Sequence, residues 1–167
     1  MRPSLTVRFL IAVGGVALAF SGCGQQTEPS GPTGHSASAD VVRAIDGDTI
    51  EVELDGESED VRYIGVDTPE TVDPDEPVGC FGHAASRFNA GLVEGRRVRL
   101  EFDRELRDRY GRLLAYVSVD GRLVNAELVR RGYARTLVFP PNTEHAAEFA
   151  RLQQRAADAG KGLWGSC

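Results

Sequence analysis

The chain has few cysteines, and none has the spacing of a metal ligand. Its 167 residues include three cysteines, at Cys23, Cys80 and Cys167. The sequence contains no Cys-x-x-Cys pair and no neighbouring His–Cys pair, which argues against a structural zinc site. If Cys23 is modified, Cys80 and Cys167 remain, and an oxidising location outside the cytoplasm favours their pairing as a disulfide. Two free thiols are the alternative.

The sequence also lacks an apolar run long enough to span a membrane comfortably, which takes about 20 residues. Its longest run, residues 9–20, follows two arginines and precedes small residues, a pattern typical of an export signal over residues 1–22. Residues 20–24 (Phe-Ser-Gly-Cys-Gly) are similar to a bacterial lipoprotein signal, which predicts a lipid on Cys23 and attachment to a membrane of the cell envelope. Phe20 stands where leucine is usual, so cleavage without lipid, followed by secretion, is one alternative; an uncleaved signal anchor is the other.

An excess of positive charge is missing as well. The chain has 25 acidic and 19 basic residues, a net charge of −6. Nonspecific binding to nucleic acid depends on neutralising phosphates. An acidic chain must therefore hold such a substrate through a local basic patch and a bound cation, or nucleic acid is the wrong partner.

Apolar residues are scarce between the signal and the rest of the chain. Residues 23–40 are rich in serine, glycine, proline and threonine, which predicts a flexible tether because such a segment buries too little surface to offset its ordering entropy. The folded domain is then expected over residues 41–167, enough for one hydrophobic core.

Alternation of apolar and polar residues predicts five strands, and helical spacing predicts three helices. The predicted strands are 41–43, 49–54, 61–66, 98–102 and 113–119, and the predicted helices are 82–94, 125–131 and 144–159. The fold class is α+β and mainly β. Five short strands with a helix between the third and the fourth indicate a closed β-barrel of the oligonucleotide-binding type.

Three short charged segments interrupt this pattern, at residues 45–49, 61–71 and 108–112. Each has an ordinary explanation by itself, as a turn or a charged hairpin loop. Arg62, however, lies inside an apolar strand, and a half-buried charge is costly unless it is paired. Arg62 therefore needs an anion nearby.

Together the three segments supply a site for a hard cation and a clamp for an anion. Asp48, Asp67 and the carbonyl of Thr68 offer only oxygen ligands, which calcium prefers. Two arginines offer planar forks that match phosphate oxygens. Glu70 can orient or deprotonate an attacking water. Hydrolysis of a phosphodiester needs this combination, because negative charge develops on the phosphate oxygens in the transition state.

The same three segments resemble the thermonuclease (staphylococcal nuclease) family. The similar stretches are Ile45-Asp46-Gly47-Asp48-Thr49, then Arg62 with residues 66–71 (Val-Asp-Thr-Pro-Glu-Thr), and residues 108–116 (Asp-Arg-Tyr-Gly-Arg-Leu-Leu-Ala-Tyr). The resemblance extends over nearly all of residues 41–164. It implies an oligonucleotide-binding barrel with three helices, and calcium-dependent cleavage of DNA and RNA that leaves 3′-phosphate ends.

The resemblance also implies roles for individual residues. Asp48 and Asp67 would bind calcium through their side chains and Thr68 through its carbonyl. Glu70 would be the general base or the group that orients water.

Four further residues receive roles on the substrate side. Arg62 and Arg112 would contact the phosphate and stabilise its pentacoordinate state, and Arg109 and Tyr110 fall where the family contacts phosphate. Residues 136–142 depart from the family's paired tyrosines; there Phe139 either stacks on a base or belongs to the core.

Two other functions remain open from the sequence. A barrel of the same fold could bind nucleic acid or protein at the membrane without catalysis, and a purely structural envelope lipoprotein would explain the signal and the disulfide. The second leaves the arginine in the strand and the acidic cluster without a purpose. Nothing in the sequence implies a protein partner, so a monomer is expected.

Overall fold

A computed structural model describes residues 36–71 and 77–167. The predicted export signal, Cys23 and most of the predicted tether lie outside these residues. Within the two described ranges, no helix is both long enough and apolar enough to cross a membrane.

The described residues form eight strands and four helices. In chain order these are β1 (Ser36–Ala44), β2 (Thr49–Leu54), β3 (Glu57–Tyr63), β4 (Val66–Asp67), α1 (Gly82–Val93), β5 (Arg97–Glu101), β6 (Leu113–Val119), β7 (Arg122–Leu123), α2 (Val124–Arg130), β8 (Arg135–Thr136), α3 (Ala146–Asp158) and α4 (Leu163–Ser166).

The five longer strands make a closed barrel. They pair antiparallel in the order β3-β2-β1-β5-β6, and parallel pairing of β3 with β6 closes the barrel. Along these strands buried and accessible residues largely alternate, as in the burial of Val98 and Leu100 on β5, because one face of each strand points inward. The predicted five-stranded barrel with three helices is confirmed, with α4 as a short addition at the C-terminal end.

Two strand boundaries differ from the prediction. The strand β1 begins at Ser36, so residues 36–40 are not tether: they pair with β5, with Ala39 buried and Asp40 bonded to Arg97. Serine and alanine made this stretch look like a linker, although its small side chains alternate as a strand requires. The predicted strand 61–66 is broken at Gly65, whose φ of 78° turns the chain between β3 and β4.

Two buried asparagines hold the loops at one end of the barrel. Asn125 on α2 accepts a hydrogen bond from the Val117 backbone and donates one to the Ile64 carbonyl, each at 2.9 Å. Asn89 on α1 accepts from the Tyr63 hydroxyl and donates to the carbonyl of Asp46. Because each amide bridges two segments, both helices fix the turns that carry the charged residues.

The predicted pairing of Cys80 with Cys167 is confirmed, since the structure has a disulfide between them. This bond joins the segment before α1 to the residue after α4. It therefore closes a long covalent loop, with 87 residues of sequence separation.

Candidate active site

The loop between β1 and β2 brings two acids against β4. Gly47 permits the approach: a Cβ atom at this position would lie 2.6 Å from the Thr68 hydroxyl oxygen, too close for any side chain. Asp46 Oδ1 accepts the N–H of Asp48 at 2.9 Å and fixes the turn. The sequence Asp-Gly-Asp thus forms this loop because only glycine fits in its middle.

Asp48 is the buried centre of the acidic cluster. Its side chain is almost inaccessible, and its Oδ2 accepts hydrogen bonds from the Thr68 N–H at 2.6 Å and the Thr68 hydroxyl at 3.0 Å. Thr49 donates its hydroxyl to Oδ1. The two segments predicted to share a cation are therefore joined directly through one carboxylate.

Arg62, at the end of β3, supplies the positive charge of this cluster. Its Nη1 lies 3.2 Å from Asp48 Oδ1, and its Nη2 donates to Asp67 Oδ1 at 3.0 Å. Nη1 also donates to the carbonyls of Tyr63 and Val66, which lie on either side of the Gly65 turn. The expectation that Arg62 needs an anion is met by the two acids assigned to the metal.

Burial and mutual repulsion make the acids hard to ionise. Burial, with the neighbouring charge of Asp48, raises the pKa of Asp46 to about 6. Burial is also the main cause that raises the pKa of Asp48, against the opposing effects of Arg62 and the Thr68 hydrogen bonds. One arginine does not offset the cost of placing these carboxylates out of water, so additional positive charge would stabilise the cluster.

The donor atoms fit a hard divalent cation. The described residues contain no group of three or more histidine, cysteine or acidic side chains placed to hold a metal ion. Asp48 and Asp67 nevertheless offer carboxylate oxygens beside the same guanidinium, with no soft ligand among the contacts recorded for them. A cation there would take backbone oxygen and water for its remaining ligands, as calcium commonly does.

A second arginine is held by its own loop. Asp108 Oδ2 lies 2.8 Å from Arg112 Nε and 2.7 Å from Arg112 Nη2, while Oδ1 accepts the N–H groups of Tyr110 and Arg112. One carboxylate therefore shapes the turn and orients the guanidinium. Asp108 occupies one edge of the guanidinium, and the opposite edge has further N–H donors for an oxyanion.

The neighbouring Arg109 and Tyr110 are exposed and stacked. The Arg109 guanidinium carbon lies 4.7 Å from the centre of the Tyr110 ring, and that of Arg112 lies 5.4 Å from it. Arg109 also donates to the Tyr110 hydroxyl at 2.6 Å. Tyr110 thus packs beside two positive charges at the rim of the site.

One open cleft of about 500 Å³ brings these groups together. Its lining residues include Arg62, Arg109, Tyr110, Arg112, Leu137, Phe139 and Asn142. The lining thus combines three arginines with the apolar side chains of Leu137 and Phe139, which suits a charged group attached to a flat ring. Phe139 is 67% exposed, so the alternative that placed it in the core is wrong.

Glu70 is placed less directly. It follows Thr68 by two residues, is half-buried, and its Oε1 accepts the N–H of Thr71 at 2.7 Å. Among the described residues, the lining of the cleft includes both arginines but not Glu70. Its catalytic role therefore stays a prediction.

Comparison with known proteins agrees with this geometry. The family described as "Staphylococcal nuclease homologue" matches residues 60–166. Thermonuclease of Staphylococcus intermedius is 40% identical over 124 residues, 74% of this chain and 74% of that protein. Thermonuclease of Staphylococcus hyicus is 42% identical over 124 residues, 74% and 73% of the two chains. Endonuclease YncB of Bacillus subtilis is 43% identical over 147 residues, 83% of this chain and 70% of the relative.

The chain belongs to the thermonuclease family. It is accordingly a nuclease, an enzyme that hydrolyses phosphodiester bonds. The matched range includes Arg62, Asp67, Glu70 and Arg112, while Asp48 precedes it and joins the site through its hydrogen bonds with Thr68.

Two positioning residues of this thermonuclease-family site were not assigned from the sequence. Asp108 orients Arg112. The local signal for its turn is an aspartate whose side chain accepts the backbone N–H two residues later, here that of Tyr110. Asn142 is buried, and its side chain exchanges two hydrogen bonds of 2.8 Å with the backbone of Glu105. No sequence pattern marks a pairing across 37 residues.

Proposed function

We propose that this nuclease depends on calcium, cleaves both DNA and RNA, and leaves 3′-phosphate ends. The observation that carries the proposal is that Arg62 and Arg112 line one cleft while Arg62 also contacts Asp48 and Asp67. A phosphate between the two arginines would thus lie next to the oxygen donors that suit a hard cation.

The residues divide the reaction between them. Calcium, held by Asp48, Asp67 and the Thr68 carbonyl, would supply positive charge against the phosphate oxygens. Arg62 and Arg112 bind the phosphate and stabilise the charge that develops as water attacks phosphorus. Removing one such donor typically costs about 10²–10³-fold in rate.

The remaining groups handle the proton and the substrate. Glu70 orients the attacking water or accepts its proton, and the 5′-oxygen leaves, so that the phosphate stays on the 3′ side. Arg109 and Tyr110 contact the nucleic acid at the rim of the cleft. Phe139 stacks on a base, and this contact is tolerant of sequence because every base has a flat face. The resemblance to the thermonuclease family supports activity on both DNA and RNA.

The test is a digestion of circular plasmid DNA and of a single-stranded RNA, with a calcium titration and with a calcium chelator. We expect cleavage of both substrates, loss of cleavage with the chelator, and fragment ends that a polymerase extends only after phosphatase treatment. Glu70→Ala and Arg112→Ala should lower turnover by about 10²-fold or more while the far-ultraviolet circular dichroism spectrum is retained. Cleavage that persists without calcium, or ends that need no phosphatase, would contradict the proposal. Binding without cleavage would instead identify a non-catalytic barrel.

We also propose that the protein is exported and anchored in the cell envelope by a lipid on Cys23, as its N-terminal pattern indicates. Labelling cells with a radioactive fatty acid should mark the protein and not its Cys23→Ser variant. A protein that partitions into the aqueous phase of a detergent extraction regardless of that substitution would be secreted without lipid.

A further inference from the structure

Residues 79–82 pack directly against the backbone of Pro69 and Glu70. Gly79 donates its N–H to the Glu70 carbonyl at 2.8 Å. A Cβ atom at Gly79 would lie 2.7 Å from the Pro69 Cβ, and one at Gly82 would lie 3.0 Å from the Glu70 carbonyl oxygen. Glycine at both positions therefore allows residues 79–82 to support the main chain that bears Glu70.

Helix α1 already holds one end of this segment: the half-buried Phe81 stacks on Tyr133 with ring centroids 5.3 Å apart, and Gly82 is the buried first residue of the helix. The two glycines contribute no side chain, and the residue between Gly79 and Phe81 is the exposed Cys80. The polar contacts here include the Gly79 hydrogen bond to Glu70, a hydrogen bond of 2.9 Å from the Gly82 N–H to the Gly79 carbonyl, and the contact of 3.2 Å between the hydroxyls of Thr71 and Ser86. Phe81 and Gly82 are therefore anchored through α1, whereas Gly79, which precedes Cys80, meets Glu70 through a hydrogen bond whose net contribution to stability is small.

The disulfide adds a second anchor next to Gly79, because it joins Cys80 to the C-terminal tail. Cys167 follows α4, whose Leu163 is buried and donates its N–H to the Gly132 carbonyl at 2.9 Å. Gly162 and Gly132 meet so closely that a Cβ atom on either would collide with the backbone of the other segment. The disulfide thus joins Cys80 to a closely packed C-terminal tail. Cys80 itself lies between Gly79 and Gly82, the two glycines that contact the backbone of Pro69 and Glu70.

We propose that the Cys80–Cys167 disulfide positions Glu70 for catalysis, so that reduction of this bond lowers turnover while the fold and the phosphate-binding arginines are retained. Both cysteines are exposed, and a thiol reductant can reach the bond. Arg62 and Arg112 are held by hydrogen bonds to Val66 and Asp108, which lie outside residues 79–82. The inference rests on the proposed role of Glu70.

The test compares four forms of the full chain at saturating calcium: wild type, Cys80→Ser/Cys167→Ser, Glu70→Gln, and the variant with all three substitutions. The assays are run at a temperature at which circular dichroism shows every form folded. We expect loss of the disulfide to lower kcat by about tenfold, because small errors of position are costly in catalysis. KM should change by less than about twofold, since binding groups are unaffected.

The Glu70→Gln background decides how the disulfide acts. If the bond acts through Glu70, its removal from Glu70→Gln produces no further loss. Faster hydrogen exchange at the Gly79 amide in the reduced protein would support the same conclusion. If the double serine variant does not fold, mild reduction and alkylation of the folded wild type give the same comparison.

Two results would overturn the inference, and they differ from failure of the proposed mechanism. A disulfide-free enzyme with wild-type kcat, alongside an inactive Glu70→Gln, would show that the bond does not position the glutamate. An equal loss in both backgrounds would show that it acts on the whole fold. Full activity of Glu70→Gln would instead remove Glu70 from the mechanism, and the inference with it.

Discussion

Replacement of Asp108 by asparagine tests whether Arg112 must be held in place. The substitution preserves shape, and the asparagine oxygen can still accept the two backbone N–H groups that Asp108 Oδ1 accepts now. The atom facing the guanidinium becomes an amide nitrogen, which cannot accept from Arg112 Nε or Nη2. Asp108→Asn should therefore keep the turn and release the arginine.

The expected loss follows from the freedom that Arg112 regains. The side chain is 31% exposed, so a released guanidinium has room to leave the cleft. Rotamer freedom of an arginine is worth about 1.5–2 kcal/mol, and the competent rotamer would become about 10- to 30-fold less populated. The loss should stay below that of Arg112→Ala, because the donor is displaced and not deleted.

Single-turnover cleavage of a short labelled DNA at saturating calcium measures this loss directly. The matched control is Asp40→Asn. Asp40 on β1 accepts two hydrogen bonds from Arg97 on β5, and neither residue lines the cleft, so this substitution should leave the rate unchanged. In an Arg112→Ala background, Asp108→Asn should have no further effect. An undiminished rate in Asp108→Asn, or a loss that persists without Arg112, would refute the reasoning.

Three further predictions concern the cation, the interior and alkaline pH. Asp48→Asn should shift the calcium titration of activity upward by about tenfold or more, because a charged buried oxygen is lost; the exposed Glu53→Gln on β2 is the control, and an unchanged titration would exclude Asp48 as a ligand. Asn125→Ala should lower the free energy of unfolding in urea by about 2–4 kcal/mol, since two buried backbone groups lose their partner; a loss under about 0.5 kcal/mol, the size of a surface substitution, would contradict this. Burial raises the pKa of Tyr116 to about 12, above the usual value of about 10. The neutral Tyr116 phenol therefore stabilises the fold below pH 10, and this contribution is lost as pH rises toward 12. Tyr116→Phe should flatten the fall in the free energy of unfolding over this range. An equally steep fall in the variant would show that Tyr116 does not titrate there.

The sequence predicts those parts of the site that depend on short local patterns of residues. Asp46-Gly47-Asp48 is a turn because its glycine fits against Thr68, and Arg62 needed an anion because it interrupts an apolar strand. Alternation likewise predicted all five strands of the barrel. Each of these signals depends on residues a few positions apart, which a sequence displays directly.

Other features depend on contacts between distant parts of the chain. Asn125 and Asn142 each bond to backbone atoms far away in sequence, and an isolated asparagine gives no indication of such a partner. The start of β1 at Ser36 depends on pairing with β5, which outweighs the linker-like composition of residues 36–40. The exposure of Phe139 depends on how residues 136–142 fold against the rest of the chain, which the sequence does not display.

The parallel pairing that closes the barrel has a consequence for when activity arises during folding. In the β3–β6 pair, Arg62 lies opposite Leu114, and Leu114 follows Arg112 by two residues. The two arginines therefore become neighbours only once β3 and β6 have paired. These strands are about 50 residues apart in sequence, and such long-range contacts form slowly. A newly made chain should therefore lack nuclease activity until β3 and β6 have paired, and in a refolding experiment cleavage should appear together with this pairing.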